Sequence, residues 1–160
     1  MGRIGLLTAL VLISSSAVMP ETNTQYDTEA PIEVQEACLK WGDYYDICPE
    51  LLQAICWNES RYETDLINDT CKGIMQINEP VHMARIEKLG ITDIYDLDSN
   101  IHVGADLLAE LFADYPDAGT VIGLYHGEKT AVKKGKTGNY SDYTKTILNK
   151  SYKLERIHGK

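Results

Sequence analysis

The segment from Pro49 to Arg61 constrains the fold most, because apolar residues at helical spacing lead there to a single acid. Pro49 suits the first turn of a helix, where its missing N–H would have no partner. The residues that share one face of this helix are Leu51, Leu52, Ile55, Cys56 and Glu59. Apolar surroundings raise the pKa of a carboxyl group, and a raised pKa suits a general acid at neutral pH. Glu59 is therefore a candidate catalytic acid, unless its side chain turns outward at a fraying helix end.

Helical periodicity dominates the rest of the chain and predicts a mostly α fold with about six helices. We expect these helices to form a single compact domain over residues 31–150, which is long enough for a substantial core. Asp98 or Ser99 is predicted to cap a helix that reaches Phe112. The other predicted helices span residues 31–44, 49–62, 80–89, 120–126 and 139–150.

Four stretches lack this periodicity. Residues 63–72 are predicted to be a loop, with a turn at Asn68-Asp69. The segment Gly73–Asn78 is predicted to be a very small extended piece or a tight loop, and Lys129–Gly138 an exposed loop or a short helix. The polar residues 151–160 are predicted to form a frayed tail.

The charge and the N-terminal segment limit the compartment and the partners. The 160 residues carry a net charge of −9, which argues against nucleic acid or an anionic membrane surface as a partner. Residues 1–19 combine Arg3, an apolar run and small residues near Ala17, which predicts a secretory signal or an uncleaved anchor. Residues 20–30 are polar and are predicted to be a flexible linker. We therefore expect an extracytoplasmic protein, with membrane contact only through an uncleaved N-terminal segment.

The four cysteines fit an exported protein better than a metalloprotein. Export permits disulfides, and four cysteines allow three pairings between which the sequence does not choose. The cysteines are Cys38, Cys48, Cys56 and Cys71. They include no Cys-x-x-Cys motif and have no histidine beside a pair, so no metal site is predicted. No cofactor is expected.

Four short motifs occur in an order that is typical of one enzyme family. They are Glu59-Ser60 at a helix end, Gly73-Ile74-Met75-Gln76-Ile77, the series Asn100, Ile101, Gly104 and Leu108, and the tyrosines Tyr125 and Tyr143 in later helices. Together they resemble the lysozyme-like catalytic domain of soluble-type lytic transglycosylases over residues 32–150. The stretch from Cys38 to Leu52 further resembles small transglycosylases that accompany secretion and conjugation machines. The resemblance implies an α+β lysozyme-like fold, peptidoglycan strands as substrate and a secretion or conjugation apparatus as a candidate partner.

The resemblance also implies a role for each matching residue. Glu59 corresponds to the catalytic acid and base of the family. The residues that it assigns to substrate binding are Ser60, Met75, Gln76, Asn78, Tyr125, His126 and Tyr143. Asn100, Ile101 and Gly104 correspond to a helix beside the catalytic one and have a structural role.

One motif departs from the family pattern. Where the family has Tyr-Asn-x-Gly, this chain reads Tyr125-His126-Gly127-Glu128, so a histidine replaces the amide. Histidine can still hydrogen-bond a sugar hydroxyl or acetamide, but its charge titrates near neutrality. The alternative is a partly exposed histidine that sits at a helix C-terminus for reasons of charge.

The implied chemistry needs one carboxylate, and rival functions remain open. In the family, the Glu protonates the oxygen between N-acetylmuramic acid and N-acetylglucosamine and then activates the 6-hydroxyl, which closes a 1,6-anhydro ring. Asp65 or Asp69 could instead position a water, as a hydrolytic goose-type lysozyme requires. Two more functions are compatible with this scaffold, namely a chitinase-like or chitosanase-like enzyme and a non-catalytic wall-binding module of a secretion apparatus.

Overall fold

The computed structural model describes residues 29–160. The predicted signal or anchor at residues 1–19 and most of the predicted linker lie outside the described residues. Ala30, which the linker prediction included, is buried, and its carbonyl oxygen accepts a hydrogen bond of 2.7 Å from Gln35 Nε2. Ala30 therefore belongs to the packed structure.

The described residues form seven helices and one small antiparallel sheet, which confirms the predicted mostly α, lysozyme-like fold. The helices are α1 (Ile32–Tyr45), α2 (Pro49–Ser60), α3 (Glu79–Lys88), α4 (Leu97–Asp114), α5 (Ala118–Tyr125), α6 (Ala131–Thr137) and α7 (Asp142–Ile157). The strands, in the order β1-β2-β3, are β1 (Ile67–Asn68), β2 (Cys71–Lys72) and β3 (Ile77–Asn78). Within residues 29–160, no helix combines the length and the apolar character needed to cross a bilayer.

Helix α2 lies at the centre of the fold, with α1 and α7 packed against it. Its apolar residues are almost all inaccessible to solvent, which explains the predicted stripe. The helix ends at Ser60, two residues before the prediction, because Arg61 and Tyr62 adopt left-handed backbone angles with φ of 57° and 71°. Glu59 consequently lies in the last turn, where the helix stops at the edge of the core.

The segment 63–72, predicted to be a loop, contains a β-hairpin. Asn68 pairs with Cys71 and Ile67 with Lys72, and Asp69 occupies the turn with φ 55°. Strands of two residues are too short for the alternation of apolar and polar residues to reveal them in the sequence. The turn predicted at Asn68-Asp69 therefore lies where expected, but the strands beside it were missed: β1 pairs with β2, and β2 also pairs with β3.

Helix α4 begins earlier than predicted. Its N-cap is Asp96, whose carboxylate accepts a hydrogen bond of 2.9 Å from the Ser99 N–H, so the prediction of Asp98 or Ser99 as the cap is wrong. Asp98 instead accepts hydrogen bonds from Lys40 Nζ and Trp41 Nε1 on α1. The Asp96 carboxylate lies three residues before the Ser99 N–H, which has no partner within the helix, so Asp96 is a better cap than Asp98. The Asp98 side chain instead joins α4 to α1.

Helix α7 is the largest correction. The prediction of a helix over 139–150 with a frayed tail at 151–160 is wrong, since the helix runs from Asp142 to Ile157. Ile147, Ser151 and Leu154 continue one buried face at helical spacing. The tail looked frayed from its composition because the other faces of this last helix are polar and face solvent.

Candidate active site

A cleft with a volume of about 560 Å³ opens beside the C-terminal end of α2. This volume is within the usual range for ligand-binding pockets. The small sheet, α3, α4 and the end of α5 form its walls. The predicted site residues that line it are Glu59, Gln76, Asn78, Tyr125 and His126.

Glu59 presents a partly buried carboxyl group to the cleft. Its Oε1 accepts a hydrogen bond from the hydroxyl of Tyr143, which α7 supplies. Burial raises the pKa of Glu59, while the Tyr143 hydrogen bond and the charges of His126 and Arg61 act in the opposite direction. The net effect is a carboxyl group that keeps its proton at higher pH than an ordinary Glu.

Tyr143 and His126 form a stacked pair beside this carboxyl. Their ring centroids are 3.7 Å apart and their planes meet at 16°. Burial and the nearby Glu59 raise the pKa of Tyr143 far above the usual range of a phenol. Tyr143 therefore stays protonated and remains a hydrogen-bond donor to Glu59 throughout the physiological range of pH.

The segment from Gly73 to Ile77 is held in place by three neighbouring helices. The hydroxyl of Ser60 donates to Ile74 O at 2.8 Å, and that of Tyr125 donates to Met75 O at 2.7 Å. The N–H of Met75 donates to Asn100 Oδ1 at 2.8 Å. These bonds join the cleft wall to α2, α5 and α4, so the segment cannot shift without breaking buried hydrogen bonds.

Two glycines permit this close packing. A Cβ at Gly104 would lie 2.4 Å from Met75 Sδ, and one at Gly73 would lie 2.2 Å from Asn100 Nδ2. Gly73 also has φ of 75°, a conformation that side chains with a Cβ rarely adopt. The glycines of the motifs therefore let α4 approach the cleft wall.

Two of the residues predicted to bind substrate lie beneath the cleft. Ser60 and Met75 are buried, and their polar atoms are bonded within the protein as described above. Gln76 and Asn78 line the cleft, but each also supports the backbone: Gln76 Nε2 donates to Gly73 O at 2.9 Å, and Asn78 Oδ1 accepts from Val81 N at 3.4 Å. A role in sugar binding thus remains a prediction for these four residues.

The apolar part of the cleft lining was not predicted. Val81 of α3, Leu107 and Leu111 of α4, and Leu124 of α5 line the cleft, as does His82. The four-residue spacing of Leu107 and Leu111 places them on one helical face, and this pattern is visible in the sequence. That face adjoins the core stripe of α4, so periodicity alone could not separate cleft residues from core residues.

The neighbouring acids Glu50, Asp65 and Asp69 do not line the cleft. Asp65 and Asp69 are exposed, and neither is among the residues that line the cleft. Glu50, at the start of α2, is also buried, at 1% exposure, but helical spacing puts it on a different face of the helix from the stripe that ends at Glu59. Glu50 accepts hydrogen bonds from Lys160 Nζ at 3.0 Å and lies 2.8 Å from His158 Nδ1.

All four cysteines are free thiols in the structure. Cys38 of α1 and Cys56 of α2 are fully buried and hydrogen-bonded to each other. Cys48 donates to Glu50 Oε2 at 3.1 Å, and Cys71 lines the cleft. Of the pairings left open by the sequence, the structure brings Cys38 and Cys56 into contact.

Comparison with known proteins agrees with this geometry. Residues 36–148, well over half of the chain, match the family described as the transglycosylase SLT domain. No curated protein matches the chain at a significant level. The matched region runs from α1 into α7 and includes both Glu59 and Tyr143. The chain therefore belongs to the SLT-domain family of lytic transglycosylases, enzymes that degrade peptidoglycan.

Proposed function

We propose that this protein cleaves the β-1,4 bond between N-acetylmuramic acid and N-acetylglucosamine as a lytic transglycosylase, with Glu59 as its acid and its base. The observation that carries the proposal is the isolation of Glu59. Of the described residues that line the cleft, it is the only acid, and burial raises its pKa. A one-carboxylate mechanism requires such a group.

In the first step, Glu59 donates its proton to the oxygen of the glycosidic bond. The hydroxyl of Tyr143 occupies Oε1, so Oε2 is the oxygen that reaches the substrate. The bond to the anomeric carbon then breaks, and N-acetylglucosamine leaves with a free 4-hydroxyl. The acetamide of the muramic acid stabilises the positive charge that develops at the anomeric carbon.

In the second step, the Glu59 carboxylate accepts the proton of the substrate's 6-hydroxyl. That oxygen attacks the anomeric carbon and closes the 1,6-anhydro ring, and Glu59 regains the proton that it lost. Tyr143, His126 and Arg61 stabilise the carboxylate between the two steps, since each favours its charged form. No water is consumed.

The position of the loop acids favours this reaction over hydrolysis. An inverting hydrolase needs a second carboxylate across the sugar ring to activate water, at a separation of about 6.5–9.5 Å. Asp65 and Asp69 are exposed and do not line the cleft. A goose-type lysozyme mechanism therefore lacks a visible base in the described residues of this cleft.

The masses of the products test the proposal. Purified peptidoglycan is digested with the protein, and the soluble fragments are analysed by mass spectrometry, with Glu59→Gln as the matched control. Anhydro-muropeptides, about 18 Da lighter than reducing-end fragments, are expected from the wild type only. Reducing ends would establish a lysozyme, cleavage of chitin oligomers alone would establish a chitinase-like enzyme, and absence of product would favour a wall-binding module.

The location follows from the substrate. Peptidoglycan lies outside the cytoplasm, so we propose that the protein is exported by its N-terminal segment and acts in the cell envelope. A secretion or conjugation apparatus as a partner rests on the resemblance of residues 38–52 alone. Fractionation of cells that express the full chain, with N-terminal sequencing of the mature protein, distinguishes a cleaved signal from a retained anchor.

A further inference from the structure

We propose that His126 is a positioning residue for Glu59: its ring holds the Tyr143 hydroxyl on the carboxyl, and its charge tunes the pH range of activity. This inference rests on the proposed function, because it concerns the acid of that reaction. It goes beyond it by giving a role to the residue that departs from the family pattern. The ring acts through Tyr143 and the charge acts on Glu59, and neither role requires His126 to touch the sugar.

The geometry of three side chains carries the inference. His126 lies at the end of α5 and stacks on Tyr143 at 3.7 Å with nearly parallel planes. Tyr143 in turn donates its hydroxyl to Glu59 Oε1. Stacking restricts the rotation of the phenol ring, so the hydroxyl stays directed at the carboxyl. An asparagine at position 126 could not provide this contact, because it has no ring.

His126 is also placed to act by charge. It is exposed on the cleft side, where solvent protons reach it, and its positive form favours the carboxylate form of Glu59. It interacts in the same way with Glu128, which Lys134 and Ser141 hold in place. The other titratable or charged groups around Glu59 and His126 are Arg61, Cys56, Cys71, His82, Tyr125 and Tyr143.

A protonated imidazole carries a positive charge that an amide lacks. A charged His126 stabilises the carboxylate left after proton donation, and a neutral one lets Glu59 hold its proton to higher pH. The two forms therefore favour opposite halves of the catalytic cycle.

Four variants separate the ring from the charge. His126→Phe keeps the stacking ring and removes the charge, His126→Ala removes both, and His126→Asn supplies the family's amide. His102→Phe is the control, because His102 is also stacked, on Trp41 at 3.5 Å, but is not among the cleft-lining residues. The measurements are kcat and KM on peptidoglycan across pH, and a ¹³C NMR titration of the Glu59 carboxyl without substrate.

The expected results follow from the two roles. All three His126 variants should move the alkaline limb of the activity profile, and the Glu59 titration, upward by about half a pH unit. His126→Ala and His126→Asn should lose about tenfold in kcat, and His126→Phe should lose less, with KM little changed in each. His102→Phe should reproduce the wild-type titration.

Other outcomes would overturn the inference. If His126→Ala and His126→Phe raised only KM, and His126→Asn kept the wild-type KM, His126 would be an ordinary sugar contact. An unchanged Glu59 titration in every His126 variant would exclude the electrostatic role. If the wild type degrades no peptidoglycan, the proposed function fails, while the NMR titration still decides whether His126 positions and tunes Glu59.

Discussion

Glu50 and Glu59 lie on the same helix, nine residues apart, yet the pKa values of their carboxyl groups are shifted in opposite directions. Both are removed from water to a large extent, and burial by itself raises the pKa of each. Hydrogen bonds from Lys160, His158 and Cys48 overcome this effect at Glu50 and lower its pKa to about 2. At Glu59 the opposing groups are weaker, and the pKa stays raised.

The comparison shows that burial does not identify a catalytic acid. Glu50 is more deeply buried than Glu59, but its carboxylate is paired with Lys160 and lies 2.8 Å from His158, and it does not line the cleft. Glu59 has a phenol hydroxyl as its bonded partner and opens onto a cavity. The partners of an acid and its access to substrate therefore decide its role, and the helix supplies only its position.

The largest expected difference between the two acids is in activity. Glu59→Gln should lower the rate of peptidoglycan degradation by about 10²–10⁴-fold, because the amide cannot donate the required proton. Glu50→Gln should stay within a few-fold of the wild type when assayed well below its unfolding temperature. Release of soluble fragments measures both rates, and a greater loss in Glu50→Gln than in Glu59→Gln would contradict the assignment.

The second difference is in stability. Because the pKa of Glu50 in the folded protein is about 2, below its unfolded value of roughly 4.3, its ion pairs stabilise the fold above that unfolded value. Glu50→Gln should therefore lose about 2 kcal/mol of unfolding free energy at pH 7, and the loss should disappear as pH falls toward 2. Urea unfolding at pH 7 and pH 3 measures this. The raised pKa of Glu59 predicts the opposite sign, so Glu59→Gln should be no less stable than the wild type at pH 7.

The third prediction concerns the partner of Glu59. Tyr143→Phe removes the hydroxyl that favours the carboxylate, so the pKa of Glu59 should rise further and the alkaline limb of activity should move to higher pH. We expect kcat to fall about tenfold, which corresponds to one hydrogen bond to a charged group. A kcat–pH profile measures both effects, with Tyr140→Phe, whose hydroxyl bonds Asp117, as the control. A limb that moves to lower pH would contradict the sign.

The smallest expected effect concerns the partners of Glu50. Lys160→Gln removes one cation whose side chain is 52% exposed, so the loss of stability should be below about 1 kcal/mol. Combined with Glu50→Gln, it should add almost nothing, because both changes break the same contact. Thermal unfolding of the two single variants and the double variant tests this, and strictly additive losses would show that Lys160 acts elsewhere.

The sequence by itself determined the helical fold and the position of the catalytic candidate. Apolar residues at helical spacing placed α2 around Glu59, and the order of the short motifs pointed to the family. These features are local or depend on order along the chain, so pattern and spacing reveal them. The cap of α4 and the two-residue strands were misjudged because they depend on which neighbour satisfies a backbone group. The end of α7 was misjudged because its buried face is set by packing against α2.

Only the tertiary structure decided which residues surround each acid. Tyr143 reaches Glu59 across 84 positions of the chain, and Lys160 reaches Glu50 across 110. Packing likewise placed Ser60 and Met75 beneath the cleft and stacked His126 on Tyr143. A pKa depends on burial and on nearby charge, and both are set by contacts between distant segments. The sequence could therefore indicate an acid at this helix end, and the fold determined that it keeps its proton to higher pH than an ordinary Glu.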